Sequence, residues 1–441
     1  MESTDAHPLV VSLDRPHRRR SRRWILAAGV ALAVLAGAGW AVARSEHIDD
    51  RLLVVDEDGA VSLLDPETGQ SLFEVPGATP TPDRGALLTT DSGGGQTLLQ
   101  SRDPVTGAVT GSTTLDGDLT IRTVSPQGRA VALMPGPKGE GLYEAGSRER
   151  TSITVSYLDQ REPRTYHLPG NIEPEMFSYD EGALFVLQFE PPLDPTSYLV
   201  RRLDLVSGEM TDTESPQVDL NPRMQATARA QVLHPQGTYL YTLYTVPNDG
   251  QPVYDAEADD DSPRYAFVHI INLKEEWSFC LFLPTPIGTV DEAAVGLGVS
   301  PDGRQLVVAD AGSGTIASVN TADMTVTRTS KIDAWPANQP RAVVSIADDG
   351  SLYLSGGQTL LEIDLATLAV GFVWEVPSSV TGLGVSASGE QLRVANGGAI
   401  TLIDRASRRE VGVLDGPGRG SVGLLGPPRG SVTEFPLDCA C

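Results

Sequence analysis

From about residue 51 onward, short apolar runs alternate with polar, glycine-bearing turns. Gln305–Ala309, Thr315–Val319 and Thr325–Thr329 show the pattern most clearly. β-Branched and apolar residues alternate there with small or polar ones, and Gly-Ser-Gly or Thr-Ala-Asp separates the runs. A period of two is that of a strand, whose successive side chains leave opposite faces. The set is repeated by Gln391–Ala395, Ala399–Ile403 and Glu410–Leu414, and again by Ser351–Leu354, Leu360–Ile363 and Val370–Val376. One more short apolar run leads into each set, as in Val295-Gly296-Leu297-Gly298-Val299 and Thr381-Gly382-Leu383-Gly384-Val385. Glycine in a strand permits close backbone approach, as expected near a crowded axis. No part of this region has helical periodicity.

Turn motifs punctuate the runs. They are Pro82-Asp83-Arg84-Gly85, Ser125-Pro126-Gln127-Gly128, Tyr179-Asp180-Glu181-Gly182, His234-Pro235-Gln236-Gly237, Ser300-Pro301-Asp302-Gly303, Ala347-Asp348-Asp349-Gly350, Ser386-Ala387-Ser388-Gly389 and Gly426-Pro427-Pro428-Arg429-Gly430. Their final glycines are 39 to 66 residues apart. Proline pre-sets one turn angle, glycine accepts positive φ, and Asp or Ser hydrogen-bonds its own backbone. Asp83, Asp180, Asp302 and Asp349 therefore read as turn stabilisers. Four short strands per roughly 40–50 residues predict a β-propeller of four-stranded blades. Leu52–Val55, Val61–Leu64 and Ser71–Val75 precede the first motif, and one lone run, Ser421–Leu425, precedes the last. Three strands plus one make a complete blade and close the ring without open edges. The count is then eight, although seven is common in such folds. Polar insertions enlarge two units, one near Pro135–Arg150 and the other at Pro247–Pro263.

The amino end is different. Arg15, Arg18, Arg19, Arg20, Arg22 and Arg23 precede an uncharged run from Trp24 to Ala43. About 20 helical residues span a bilayer core of ~30 Å, and arginines mark the cytoplasmic side. The division expected is a cytoplasmic tail over 1–23, a transmembrane signal anchor over 24–43, a linker over 44–50, a propeller over 51–430 and a tail over 431–441. A second reading stands beside the anchor. Ser21-Arg22-Arg23-Trp24-Ile25-Leu26 has the form of a twin-arginine export signal, and Ala41-Val42-Ala43 that of a small-x-small cleavage site. Both place the propeller outside the cytoplasm, held at the cell membrane or secreted.

Charge narrows the partners. The chain carries 33 Lys+Arg against 58 Asp+Glu, a net −25. Six arginines and only three acids (Glu2, Asp5 and Asp14) sit before Trp24, so the exported part is more acidic still. Such a surface repels nucleic acid and anionic lipid, and nucleic acid is not an expected partner.

The run Val307-Val308-Ala309-Asp310-Ala311-Gly312-Ser313-Gly314-Thr315-Ile316-Ala317-Ser318-Val319-Asn320-Thr321-Ala322 resembles the YVTN-type β-propeller repeat, and Val394-Ala395-Asn396-Gly397-Gly398-Ala399-Ile400-Thr401-Leu402-Ile403-Asp404 resembles a second copy. The likeness is good over residues 295–415 and elsewhere is one of period alone. It implies an exported propeller that binds a protein or small molecule. Propellers of lactonase type share the shape and are hydrolases, which is the alternative function. The WD dipeptide is absent.

No catalytic constellation stands out. His-x-x-x-His, Cys-x-x-Cys, Gly-x-Ser-x-Gly and phosphate-binding glycine loops are all missing from the sequence, and no cofactor or metal is implied. His234 occupies a turn position, His269 a strand, and Cys280 an apolar run in which a small hydrophobe fits. The candidate contact loop is the acidic insertion, with Tyr254, Asp255, Glu257, Asp259, Asp260, Asp261 and Tyr265. Calcium would take oxygens from such a loop, yet the spacing is not that of a known calcium loop, and a solvated charge run accounts for it better.

Overall fold

The computed structural model describes residues 51–56, 59–137, 146–159, 161–216, 223–246, 253–254, 263–291, 293–335, 339, 341–416 and 423–424. Every regular element among them is a strand. Eight four-stranded antiparallel sheets form the blades of a propeller. Blade 1 is Thr79–Pro80, Leu87–Gly93, Gln96–Arg102 and Val109–Asp116. Blade 2 is Leu119–Val124, Ala130–Pro135, Arg150–Tyr157 and Arg164–Pro169. Blade 3 is Asn171–Phe177, Ala183–Glu190, Ser197–Asp204 and Met210–Asp212. Blade 4 is Thr227–Leu233, Tyr239–Thr245, Ala266–Asn272 and Trp277–Phe282. Blade 5 starts at Val295–Val299, blade 6 at Ala342–Ile346 and blade 7 at Val380–Val385, each continuing through three more strands. Blade 8 is split. Leu52–Val55, Val61–Leu64 and Ser71–Val75 supply three strands, and Gly423–Leu424 supplies the innermost, pairing Val54 with Leu424 and Val55 with Gly423. The ring closes as the three-plus-one count requires, and the blade number is eight.

The core is divided among the blade interfaces. Each of the eight buried clusters joins two neighbouring blades, from Leu88, Leu99 and Leu133 between blades 1 and 2 to Leu53, Leu63 and Leu87 between blades 8 and 1. Alternation along one strand explains the arrangement. Val308 packs toward blade 4 and its neighbour Val307 toward blade 6. A blade's second strand is thus buried on both faces: Gln305–Asp310 and Gln391–Asn396 are each buried at every position after the first, and Leu306 to Ala309 is an unbroken apolar run.

Glycine sets the approach of the innermost strands. A Cβ on Gly296 would lie 2.3 Å from the Ala342 carbonyl oxygen, and one on Gly298 2.6 Å from Val344. Blades 5 and 6 therefore meet at the axis in a way no larger residue permits.

The segment 24–43 lies outside the described residues. No helix of the described residues is long and apolar enough to cross a membrane.

Gly296→Ala is expected to lower stability by about 1–3 kcal/mol through overpacking against backbone. Gly111→Ala, whose Cβ would meet nothing within 4 Å, should stay within about 0.5 kcal/mol. Urea unfolding midpoints of the two variants test this; equal shifts would refute close packing at Gly296.

Candidate functional site

Strand parity sorts the connections. In an antiparallel blade the first-to-second and third-to-fourth turns emerge on one face. The second-to-third loops and the crossings between blades emerge on the other. The first is the turn face and the second the loop face.

The turn face is built of side-chain-capped turns. Thr81 Oγ1 donates to Asp83 Oδ1 at 2.6 Å, Ser178 to Asp180 at 2.7 Å and Ser300 to Asp302 at 2.6 Å. Each Asp also accepts a backbone N–H two residues on, as does Asp349 from Ser351. These four acids are turn stabilisers, as their positions predict. A second series went unread in the sequence. Asp65, Asp103, Asp204, Asp364 and Asp404 accept from backbone N–H groups two or three residues on, and from the Thr or Ser hydroxyl at the third. Those hydrogen bonds hold Asp204 down to about 2. The signal was an Asp followed three residues later by Thr or Ser.

One residue further along, the backbone of these turns is left-handed: Gly69, Gly107 and Gly208 occupy three of the positions, and Leu368 and Arg408 take φ of 58° at the other two. Glu276 and Met324 take φ of 60° and 53° at the same place in two turns that open on Asn272 and Asn320 instead of Asp. Left-handed backbone costs a non-glycine residue roughly 1–2 kcal/mol, and each of the four has a compensating contact. Glu276 pairs with Arg202 at 2.6 Å and Arg408 with Glu362 at 2.9 Å. Leu368 and Met324 pack against core clusters.

A cleft of about 380 Å³ opens on this face between blades 5 and 6, lined by Asp302, Asp348, Asp349 and Asp364 among others. Three of these acids are committed to their own turns. Among the described residues no group of three or more His, Cys, Asp or Glu is placed to hold a metal.

The loop face is asymmetric. Blades 1, 5, 6, 7 and 8 turn there through short hairpins, for example Gly93-Gly94-Gly95 and Gly397-Gly398. Both insertions rise from this face, the first between Pro135 and Arg150 of blade 2, the second between Thr245 and Ala266 of blade 4. The crossing from Asp212 to Thr227 lies between them. Val253–Tyr254 and Pro263–Arg264 pair as a small ribbon at the base of the second insertion, and half-buried Tyr265 follows it. Tyr254 and Tyr265 are therefore brought to one place. Asp255, Glu257, Asp259, Asp260 and Asp261 lie outside the described residues.

On these same blades the innermost strands carry charged and polar residues. Blade 2 contributes Arg122, blade 3 Glu173 and Glu175, and blade 4 Arg229 and Gln231, whereas blades 5 and 6 present Val295-Gly296-Leu297-Gly298-Val299 and Ala342-Val343-Val344-Ser345-Ile346. Glu173 lies between two guanidinium groups, with Arg148 Nη2 at 2.9 Å and Arg122 Nε at 3.6 Å. Arg148 Nε donates to Asn171 Oδ1 at 2.9 Å. Asn171 in turn donates to the Gly146 carbonyl, and Arg122 Nη2 to those of Gly136 and Pro137. Both feet of the blade 2 insertion are thus fixed to innermost strands. Burial lowers Arg122 below the ordinary guanidinium value, Glu173 opposes the shift, and Arg148 adds to it. Sequence reading missed this cluster because its members lie on two strands and a loop, with no shared motif.

The remaining sequence candidates are structural. His234 Nδ1 accepts from the Gln236 N–H at 3.2 Å inside its turn. Cys280 is buried between blades 3 and 4, its thiol pushed up to about 12 by burial. His269 stands opposite it on the neighbouring strand, likewise buried, and is pushed down to about 4.

Comparison with solved structures adds the architecture alone. Dihydro-heme d1 dehydrogenase NirN, solved in complex with DHE, is similar over 85% of this chain and 74% of its own, at 14% identity and a TM-score of 0.52. Apo AztD from Citrobacter koseri is similar over 87% and 99% respectively, at 13% identity and a TM-score of 0.51. The likeness is one of fold. No family model matches the chain, and no curated protein matches its sequence.

Buried His269 gives the fold a pH dependence. The unfolded chain binds its proton near pH 6.5 while the folded chain resists until about 4. Its contribution is complete above about 6.5 and declines as pH falls toward 4, by at most about 1.4 kcal/mol per pH unit. His269→Gln should flatten the loss of stability between roughly pH 6.5 and 4.5, as read from urea midpoints. An unchanged slope would assign that loss to other groups.

Proposed function

We propose that the protein is a membrane-tethered, extracytoplasmic propeller that acts by binding a protein or small-molecule ligand at its loop face. The observation that carries this reading is that the strand ends to which both insertions and the long crossing attach all belong to the loop face of blades 2 to 4, where the innermost strands are also charged. A closed ring of sheets is a rigid base, and loops rising from neighbouring blades assemble one broad surface without needing a shared sequence motif. The arginine-flanked apolar run over 24–43 supplies the tether, and its charge orientation places the propeller outside. The acidic insertion with Tyr254, Asp255, Glu257, Asp259, Asp260, Asp261 and Tyr265 is the candidate contact for a partner that presents positive charge.

Topology and surface are tested in intact cells. External protease should remove the chain beyond Asp50 and spare residues 1–23; protection of the propeller would overturn the topology. A photo-crosslinking residue at Tyr254 should capture a partner, while the same residue at Thr367 on the turn face should not. Replacing Asp259, Asp260 and Asp261 by Ser should weaken capture severalfold and shift stability by no more than about 0.5 kcal/mol. Equal capture from both faces, or capture indifferent to the three substitutions, would refute the assignment. Lactone turnover by the full-length chain, lost in Glu175→Gln, would favour the hydrolase reading.

A further inference from the structure

Building on the loop face as the binding face, we propose that the mouth of the channel between blades 2 and 3 binds an oxyanion, the carboxylate or phosphate group of a small ligand, through Arg122 and Arg148. The two guanidinium groups share one carboxylate, Glu173. Arg122 is 4% exposed at its side chain, and its Nε has no hydrogen-bond acceptor among the described residues. Glu173, the acid paired with it among the described residues, stands 3.6 Å away and gives its closer contact to Arg148. A buried N–H on a cation, without an acceptor among the described residues, beside a second guanidinium group, is what an anionic oxygen would complete. Planar guanidinium groups offer paired donors that match carboxylate and phosphate alike.

The surroundings allow access and fix the geometry. Arg148 remains 24% exposed, so the cluster meets solvent on its loop-face side. Its backbone N–H donates to the Pro192 carbonyl at 3.1 Å, and its side chain is held by Asn171 and Glu173. Arg122 is anchored by the carbonyls of Gly136 and Pro137. Both donors are therefore positioned before a ligand arrives, which keeps the ordering cost of binding small.

Glu173 separates this role from a purely structural one. It competes with an incoming anion for both arginines. Glu173→Gln should therefore tighten anion binding severalfold, whereas a cluster that only braces the fold would show no such gain. The experiment is calorimetric titration of the full-length chain in detergent at pH 7 and low ionic strength, with inorganic phosphate in one arm and succinate in the other. One saturable site is expected in at least one arm. The responding arm identifies the source: phosphate alone a phosphoryl ligand, succinate alone a carboxylate ligand, both a general oxyanion site. Arg148→Gln, on a partly exposed loop side chain, should weaken binding by about tenfold, and Arg122→Gln by at least as much. Thermal melts identify any variant that fails to fold, and Arg148→Gln then carries the test. No saturation in either arm by roughly 20 mM, binding by Arg148→Gln equal to that of the parent, or weaker binding by Glu173→Gln would overturn the proposal. If crosslinking at Tyr254 still captures a partner in that event, the binding face stands and the oxyanion site alone falls.

Discussion

Everything in this fold depends on sheets packing face to face around a ring. A blade has no core of its own. Its apolar side chains leave both faces, and each face is buried by a different neighbour. Stability is then a sum over interfaces between adjacent blades, and the sum is complete only when the last blade meets the first. The pairing of Val54 and Val55 with Leu424 and Gly423 supplies that closure through backbone hydrogen bonds. The glycines at the axis follow from the same constraint, since innermost strands must approach more closely than any others.

Because the ring bears the load of stability, its two faces are free to differ. On the turn face, hydrogen bonds of Asp, Ser and Thr side chains fill the turns, and the aspartates of both turn series are used there. On the loop face, over blades 2 to 4, the connections lengthen and the channel wall becomes charged. Carboxylates that look alike in a sequence therefore divide into two groups. Asp83 and Asp302 belong to turns, whereas Glu173 belongs to a network with buried Arg122 and partly exposed Arg148.

Much of the architecture was legible from residue order alone, because its determinants are local. The Ser-Pro-Asp-Gly type of turn marks the same corner of each blade, and three strands before the first turn with one before the last already specify how the ring closes. The left-handed positions at Glu276, Met324, Leu368 and Arg408 were not legible. The usual marker, glycine, is missing there, and the compensation comes from residues such as Arg202 and Glu362 that lie far away in the chain. The charged channel mouth was hidden for a related reason. Arg122, Arg148 and Glu173 become neighbours only after two blades pack, and the face from which each insertion emerges follows from strand parity rather than from composition.

The split blade also sets a schedule. Leu52–Val55 leaves the ribosome early, while its partner at Gly423–Leu424 is about 370 residues behind. Throughout synthesis the first strands of blade 8 carry an unpaired edge, and no amount of local folding in blades 1 to 7 can cover it. Loop closure over such a span is slow and entropically costly. The closing contact is therefore the last to form, and the nascent chain depends in the meantime on whatever keeps that edge from pairing with another molecule.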